Sequence, residues 1–247
     1  MPDAEIKANA QQFRNGLGGK LTANLLTVIG SSSAKLDDAY SRLTTLQAWR
    51  SFVLEEKISA GALGFFSEAQ NDGLTSSVLI SVGMWRPAMK SLRSLIENTI
   101  QSLFFMDHPV EYRQWDQGKY RPTFKELFDY FAEHPEICNL PESLKSPATL
   151  RSHYSHLSNV VHSSAREFRM TNEIEKSNLW KTSADGVGKW AATQKNVLRD
   201  VNLLMLPLFH ERLQGAANKG LREALSLAIP ASKDALIKSA FSVKVIR

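Results

Sequence analysis

The chain has 247 residues, a formal net charge of +5 and 43% hydrophobic residues, enough to build a buried core and to exclude a disordered chain. Its one cysteine, Cys138, excludes an internal disulfide and a cysteine-built metal cluster, and fits a reducing compartment. The basic excess permits a polyanionic partner, but the lysines and arginines are scattered and form no basic arm.

The N-terminal stretch carries Asp3, Glu5, Lys7, Arg14 and Lys20 with no apolar run, so no secretory signal is expected. The longest strongly apolar run, Leu203 to Phe209, is interrupted by Pro207 and is too short to span a membrane. A soluble, cytoplasmic protein without a membrane partner is the expectation. Residues 1–34 contain Gly16, Gly18, Gly19, Gly30 and the Ser31-Ser32-Ser33 run; they read as a flexible or partly helical lead, with a short helix around Leu21 to Ile29.

A bundle domain is expected over 35–213. Leu36, Tyr40, Leu43, Leu46, Trp49 and Val53 recur at helical spacing and predict a long helix to about Gln70, closed by the turn residues Asn71-Asp72-Gly73. A second long helix, to about Met106, follows from the stripe Val78, Val82, Trp85, Met89, Leu92, Ile96, Ile100 and Leu103, with a kink near Pro87. Its polar row is Arg86, Lys90, Arg93, Glu97 and Gln101. Arg93 and Glu97 are one turn apart, placed for an ordinary ion pair or for a site that faces another helix.

Thr123-Phe-Lys-Glu126 is a capping box that opens an amphipathic helix through Phe124, Leu127, Phe128 and Phe131. Pro135 and Pro141 bracket a loop in which Cys138 reads as a packing residue. Another helix begins near Pro147 and fades around Ser163 to Glu167. Polar residues 168–185 predict a surface loop, and Val187, Trp190, Val197, Val201, Leu204 and Leu208 define a last long helix that Pro207 bends or ends. Residues 214–247 read as short helices and a weakly alternating tail from Phe241, the only strand-like piece. The fold class is all-α: long antiparallel helices with short peripheral ones.

Chemistry concentrates in Leu150–Ser164. Leu150, Tyr154, Leu157 and Val161 project to one side of a helix, while Arg151, Ser155, Ser158 and His162 line the edge of that stripe. His153 and His156 point away from this row. No Walker loop and no His-Glu-x-x-His pair is present; the Gly16-Leu-Gly18-Gly19 stretch lacks the strand that a dinucleotide fingerprint requires. The helix carries no carboxylate, so neither a metal nor a cofactor is expected there. Histidine moves protons near neutral pH and arginine grips phosphate through two parallel hydrogen bonds, a combination suited to phosphodiester chemistry without metal.

Arg93-Ser-Leu-Ile-Glu97 and Tyr154-Ser-His-Leu-Ser-Asn-Val-Val-His162-Ser-Ser together resemble a bacterial branch of the HEPN (higher eukaryotes and prokaryotes nucleotide-binding) superfamily, over roughly Thr75 to Arg166. The resemblance implies an all-helical bundle and a metal-independent endoribonuclease of toxin, antiphage or RNA-processing systems. Its arginine–histidine motif maps to Arg151 and His156, with Ser152 where asparagine often follows the arginine. The helical wheel favours a different histidine: His156 lies about 140° from Arg151, whereas His162 is about 20° away but some 16 Å up the helix. Arg166 is the nearer cation to His162.

His162 therefore ranks first as the catalytic residue, with Arg151 and His156 as the family-style pair and Arg93, Glu97, Ser158 and Arg166 as substrate-binding or orienting residues. The resemblance further implies a homodimer, RNA or a nucleotide as ligand, and cleavage through a 2′-hydroxyl to a cyclic phosphate. It equally accommodates a non-catalytic binding or antitoxin-type module with a protein partner.

Overall fold

The structure, a computed structural model, describes residues 3–162, 182 and 184–247. Helix α1 runs Asp3–Trp49 and continues through a π-turn at Arg50–Leu54 into α2, Glu55–Lys57. Then follow α3 (Ala60–Ser81), α4 (Trp85–Asp107), α5 (Pro109–Asp116), α6 (Phe124–Glu133), α7 (Pro135–Cys138), α8 (Pro147–His162), α9 (Ala184–Phe209), α10 (Lys219–Ala228) and α11 (Asp234–Phe241). The described residues form a helical bundle with no strand, and none of its helices is long and apolar enough to cross a membrane.

Helix α4 is the hub. It packs on α3, α8 and α9 and buries Met89, Leu92, Ile96, Ile100 and Leu103, which its period of three and four predicts, together with Leu95 and Phe105. Helix α1 packs on α9, α10 and α3. Polar groups fix the α1–α9 register inside that core. Trp49 Nε1 donates to Asn202 Oδ1 at 2.8 Å, Asn202 Nδ2 donates to Thr45 Oγ1 at 3.0 Å, and Arg42 Nε donates to Gln194 Oε1 at 3.1 Å. Their geometric fit matters because a buried donor without an acceptor is costly. Burial lowers the Arg42 pKa, and Asp38 nearby offsets part of that.

Several expectations are corrected. Residues 3–31 are helical. Asn24 Nδ2 donates to Val82 O at 3.0 Å and Val28 is buried, so tertiary contact holds the part of this segment around residues 24–28, while residues 3–16 are helical but exposed. The serine run does mark a boundary: Ser32 leaves helical geometry at φ −146°, kinking α1. Asn71-Asp72-Gly73 lies within α3 and forms no turn. A Cβ at Gly73 would stand 2.5 Å from Leu43 Cδ2, so this glycine permits close helix approach, while Asp72 accepts from Asn98 Nδ2 at 2.8 Å. The break comes earlier, where Ser59 caps α3 by accepting from Ala62 N–H.

The kink expected near Pro87 is a full break. Gly83 turns the chain at φ +85°, and Pro87 sits in the first turn of α4, where its missing N–H has no helical partner to lose. Tyr40 and Val78, both assigned to apolar stripes, are 61% and 64% exposed. Pro207 lies inside α9, which ends two residues later at Phe209. Ala184 and Asp185 belong to α9, whereas the loop and helix-fading expectations at 163–181 fall outside the described residues. The tail buries Phe241, Val243 and Val245 alternately without entering a sheet; Ile246 N–H donates to Arg222 O, and Arg247 ties down to Asp234 and Ile229 O.

Candidate functional site

Helix α8 opens at Pro147, the first helical residue, and Leu150 N–H bonds Ser146 O at 2.9 Å. Leu150, Leu157 and Val160 are buried against the core, which sets the direction of every other side chain on the helix. Tyr154 is half-buried. Its ring lies 5.1 Å from Phe124 and 5.7 Å from Phe128, and the Arg93 guanidinium carbon stands 4.9 Å over it.

The Arg93 and Glu97 side chains of α4 meet this tyrosine. Arg93 Nη2 lies 2.8 Å from Glu97 Oε1 and donates to the Tyr154 hydroxyl at 3.0 Å; that hydroxyl also hydrogen-bonds Glu97. Burial raises the Glu97 pKa above the ordinary glutamate value, against the lowering pull of Arg93, Tyr154 and Lys90. Farther along, Arg86 Nε donates to Val160 O at 3.1 Å, placing a cation on the last turn of α8, where the helix dipole is negative. The polar row of α4 thus faces α8 over Tyr154 to Val160.

On the opposite flank His153 Nε2 is 3.1 Å from Asp200 Oδ2 of α9. The Asp200 side chain is 3% exposed and also accepts from Arg199 Nε at 2.6 Å and Nη2 at 3.0 Å. Burial alone would raise the Asp200 pKa, but hydrogen bonds from His153 and Arg199, with their charges, hold it below the ordinary aspartate value. Because Arg199 already neutralises the carboxylate, the trio acts as a clamp between α8 and α9. This pairing went unpredicted. Its available signal is a lone aspartate beside the apolar stripe of Val197, Val201 and Leu204.

Between these two braces α8 presents an exposed edge of Arg151, Ser152, Ser155, His156 and Asn159. Arg151 Nη1 donates to Asp129 Oδ1 of α6 at 2.9 Å, and Lys125 Nζ donates to the same carboxylate at 2.6 Å. The Lys125 hydrogen bond first, then the charges of Lys125 and Arg151, lower the Asp129 pKa. Ser158 is half-buried and returns its hydroxyl to Tyr154 O at 2.8 Å, so it serves its own helix. Of the predicted site residues, Arg93 and Glu97 come together with Tyr154, whereas Arg151 and His156 leave the helix in different directions. The His162 side chain and Arg166 fall outside the described residues.

Among the described residues no three His, Cys, Asp or Glu side chains gather as metal ligands. Comparisons of the chain with protein-family models, with curated proteins and with solved structures found no match.

Proposed function

We propose that this protein is an HEPN-like antiparallel helical bundle that cleaves RNA without metal, as a toxin or antiphage endoribonuclease, using the exposed edge of α8. The observation that carries this reading is the bracing of α8. Tyr154 is gripped by Arg93 and Glu97, His153 by Asp200, and the last turn by Arg86, while Arg151 and His156 stand exposed on the edge left over. Rigid support behind an exposed cation and imidazole is what a preorganised phosphate site requires.

In the reaction, His156, or His162 farther along the helix, takes the proton of a ribose 2′-hydroxyl. The freed oxygen attacks the adjacent phosphorus, the bond to the 5′-oxygen breaks, and that oxygen leaves with a proton from water or a second imidazole. Arg151, exchanged from Asp129 to the phosphate, stabilises the added charge; the products carry a cyclic phosphate and a 5′-hydroxyl. Arg151 and His156 are separated by about 140° and roughly 7.5 Å of rise on a regular helix. One chain's pair therefore does not converge on one phosphate, and this reading includes a second copy facing α8.

The Arg151–Asp129 ion pair favours a second reading, a non-catalytic module that holds a protein partner, because it occupies the arginine in the free chain. Incubation with a mixed RNA pool in EDTA, beside Arg151→Ala, His156→Ala and His162→Ala, separates the two. Cyclic-phosphate ends lost in a histidine variant support the nuclease; intact RNA at all protein concentrations supports the module.

A further inference from the structure

The first turns of α1 reach beyond the bundle. Asp3 through Gly16 are all exposed, including Ile6 at 52% and Phe13 at 60%; Asn24 ties α1 to the α3–α4 turn, and Val28 is the first buried residue of that helix. This arm carries Gly16, Gly18 and Gly19, each costing a helix about 1 kcal/mol relative to alanine. A Cβ at any of the three would meet nothing within 4 Å, so packing within the chain does not require them. An isolated helix of this length and composition is marginal in water. Its apolar side therefore calls for a cover.

The spacing of that side names the cover. Asp3, Ile6, Ala10, Phe13, Leu17 and Lys20 alternate by three and four, a heptad seam with charged residues of opposite sign at its two ends. Laid antiparallel on itself, the seam forms complementary layers: Asp3 opposite Lys20, Ile6 opposite Leu17, and the small Ala10 opposite the large Phe13, each occurring twice about a two-fold axis. A parallel pair would instead set Asp3 on Asp3, Lys20 on Lys20 and Phe13 on Phe13. Size and charge both select the antiparallel register.

We propose that residues 3–20 form an antiparallel two-helix seam with the same segment of a second copy. The seam is about 26 Å long and smaller than the roughly 800 Å² per partner of a standard interface, so the dimer is reversible. Lys7 and Arg14 of facing arms approach along one edge and weaken it further, although Asp3 already pairs with Lys7 at 2.7 Å. This contact lies apart from the α8 edge: a dimer indifferent to Phe13→Asp overturns the seam alone, whereas a monomeric chain also removes the second copy that the RNA reading uses.

Sedimentation equilibrium of the full chain tests the seam. The unmodified protein is expected to dimerise and Phe13→Asp to be monomeric at the same concentrations. Asp3→Lys and Lys20→Asp should each weaken association by about tenfold, and the two combined should restore it, which loss of folding would not do. His156→Ala and Arg151→Ala should leave it unchanged. A monomeric unmodified chain, a dimer indifferent to Phe13→Asp, or charge reversals that fail to compensate would each overturn the proposal.

Discussion

The α1–α9 seam and the α8 edge use polar side chains in opposite ways. In the seam, Thr45, Gln194 and Asn202 are fully buried and each hydrogen bond joins one defined donor to one defined acceptor. Along α8 the polar groups are charged and grade outward, from Asp200 at 3% exposure through Arg93 at 21% to Arg151 at 47%. Buried pairs of this kind set register, with the Arg42 guanidinium as a charged member, because a shifted helix would orphan several groups at once. The exposed ion pair can exchange partners at little cost. The same protein thus holds one helix pair in a single alignment and leaves a charged, exposed edge along another helix.

The largest expected effect lies in the seam. Asn202→Ala removes the acceptor of the Trp49 indole N–H, leaving that donor unpaired in a site without solvent, and removes a donor to Thr45, whose hydroxyl keeps its bond to Arg42 O. The cost should be about 3 kcal/mol, read as a lower urea midpoint at an unchanged m-value. A loss below about 1 kcal/mol would mean the seam tolerates orphaned groups and would remove one side of the comparison.

The braces behind α8 should respond to pH with opposite signs. The Asp200 carboxyl is held below the ordinary value by His153 and Arg199, so the unfolded chain binds more protons in the window between its own aspartate pKa of about 3.9 and the lower folded value. The stability from Asp200 is present above that window and is lost as pH falls through it. Burial raises the Glu97 carboxyl, so there the folded chain binds more protons, and its contribution falls as pH rises from about 4.3 through the folded value. Asp200→Asn should lower stability at neutral pH by about 2 kcal/mol and flatten the acid limb. Glu97→Gln should cost less and steepen the rise of stability with pH. Unfolding free energies measured across the acid range would expose parallel slopes, which would contradict the assigned environments.

How much of this was legible in the sequence depends on the range of the interaction. The α4 stripe, the Thr123–Glu126 capping box and the start of α8 at Pro147 are local patterns, and all are present. The Arg93–Glu97 pair is equally local, one turn apart on one helix. The clamp of His153 on Asp200 joins residues 47 apart, and no periodicity announces a pair of that kind. Glycine misled twice: at Gly73 its usual reading as a breaker gives way because the helix is held against Leu43, while the glycines of the α1 arm stay helical with nothing in the chain packed on them. Tyr154 shows a third limit. Its period assigns it to the core, yet its hydroxyl reaches the α4 ion pair, because a tyrosine presents an apolar body and a polar tip.

The smallest expected change in stability is at Arg151, and it sharpens the comparison most. Arg151→Ala removes one of two cations on Asp129 while Lys125 keeps its 2.6 Å bond, so thermal unfolding should show no resolvable shift. A destabilisation matching Asp200→Asn would make the edge as structural as the braces behind it. The complementary variant, Asp129→Asn, keeps the side-chain shape and releases Arg151 from its carboxylate. If the arginine is held in reserve for a phosphate, that variant should bind single-stranded RNA more tightly at low salt, and adding Arg151→Ala should abolish the gain. Equal binding by Asp129→Asn and the unmodified chain would mean that phosphate does not compete with Asp129 for this guanidinium, and the phosphate role would pass from Arg151 to another cation.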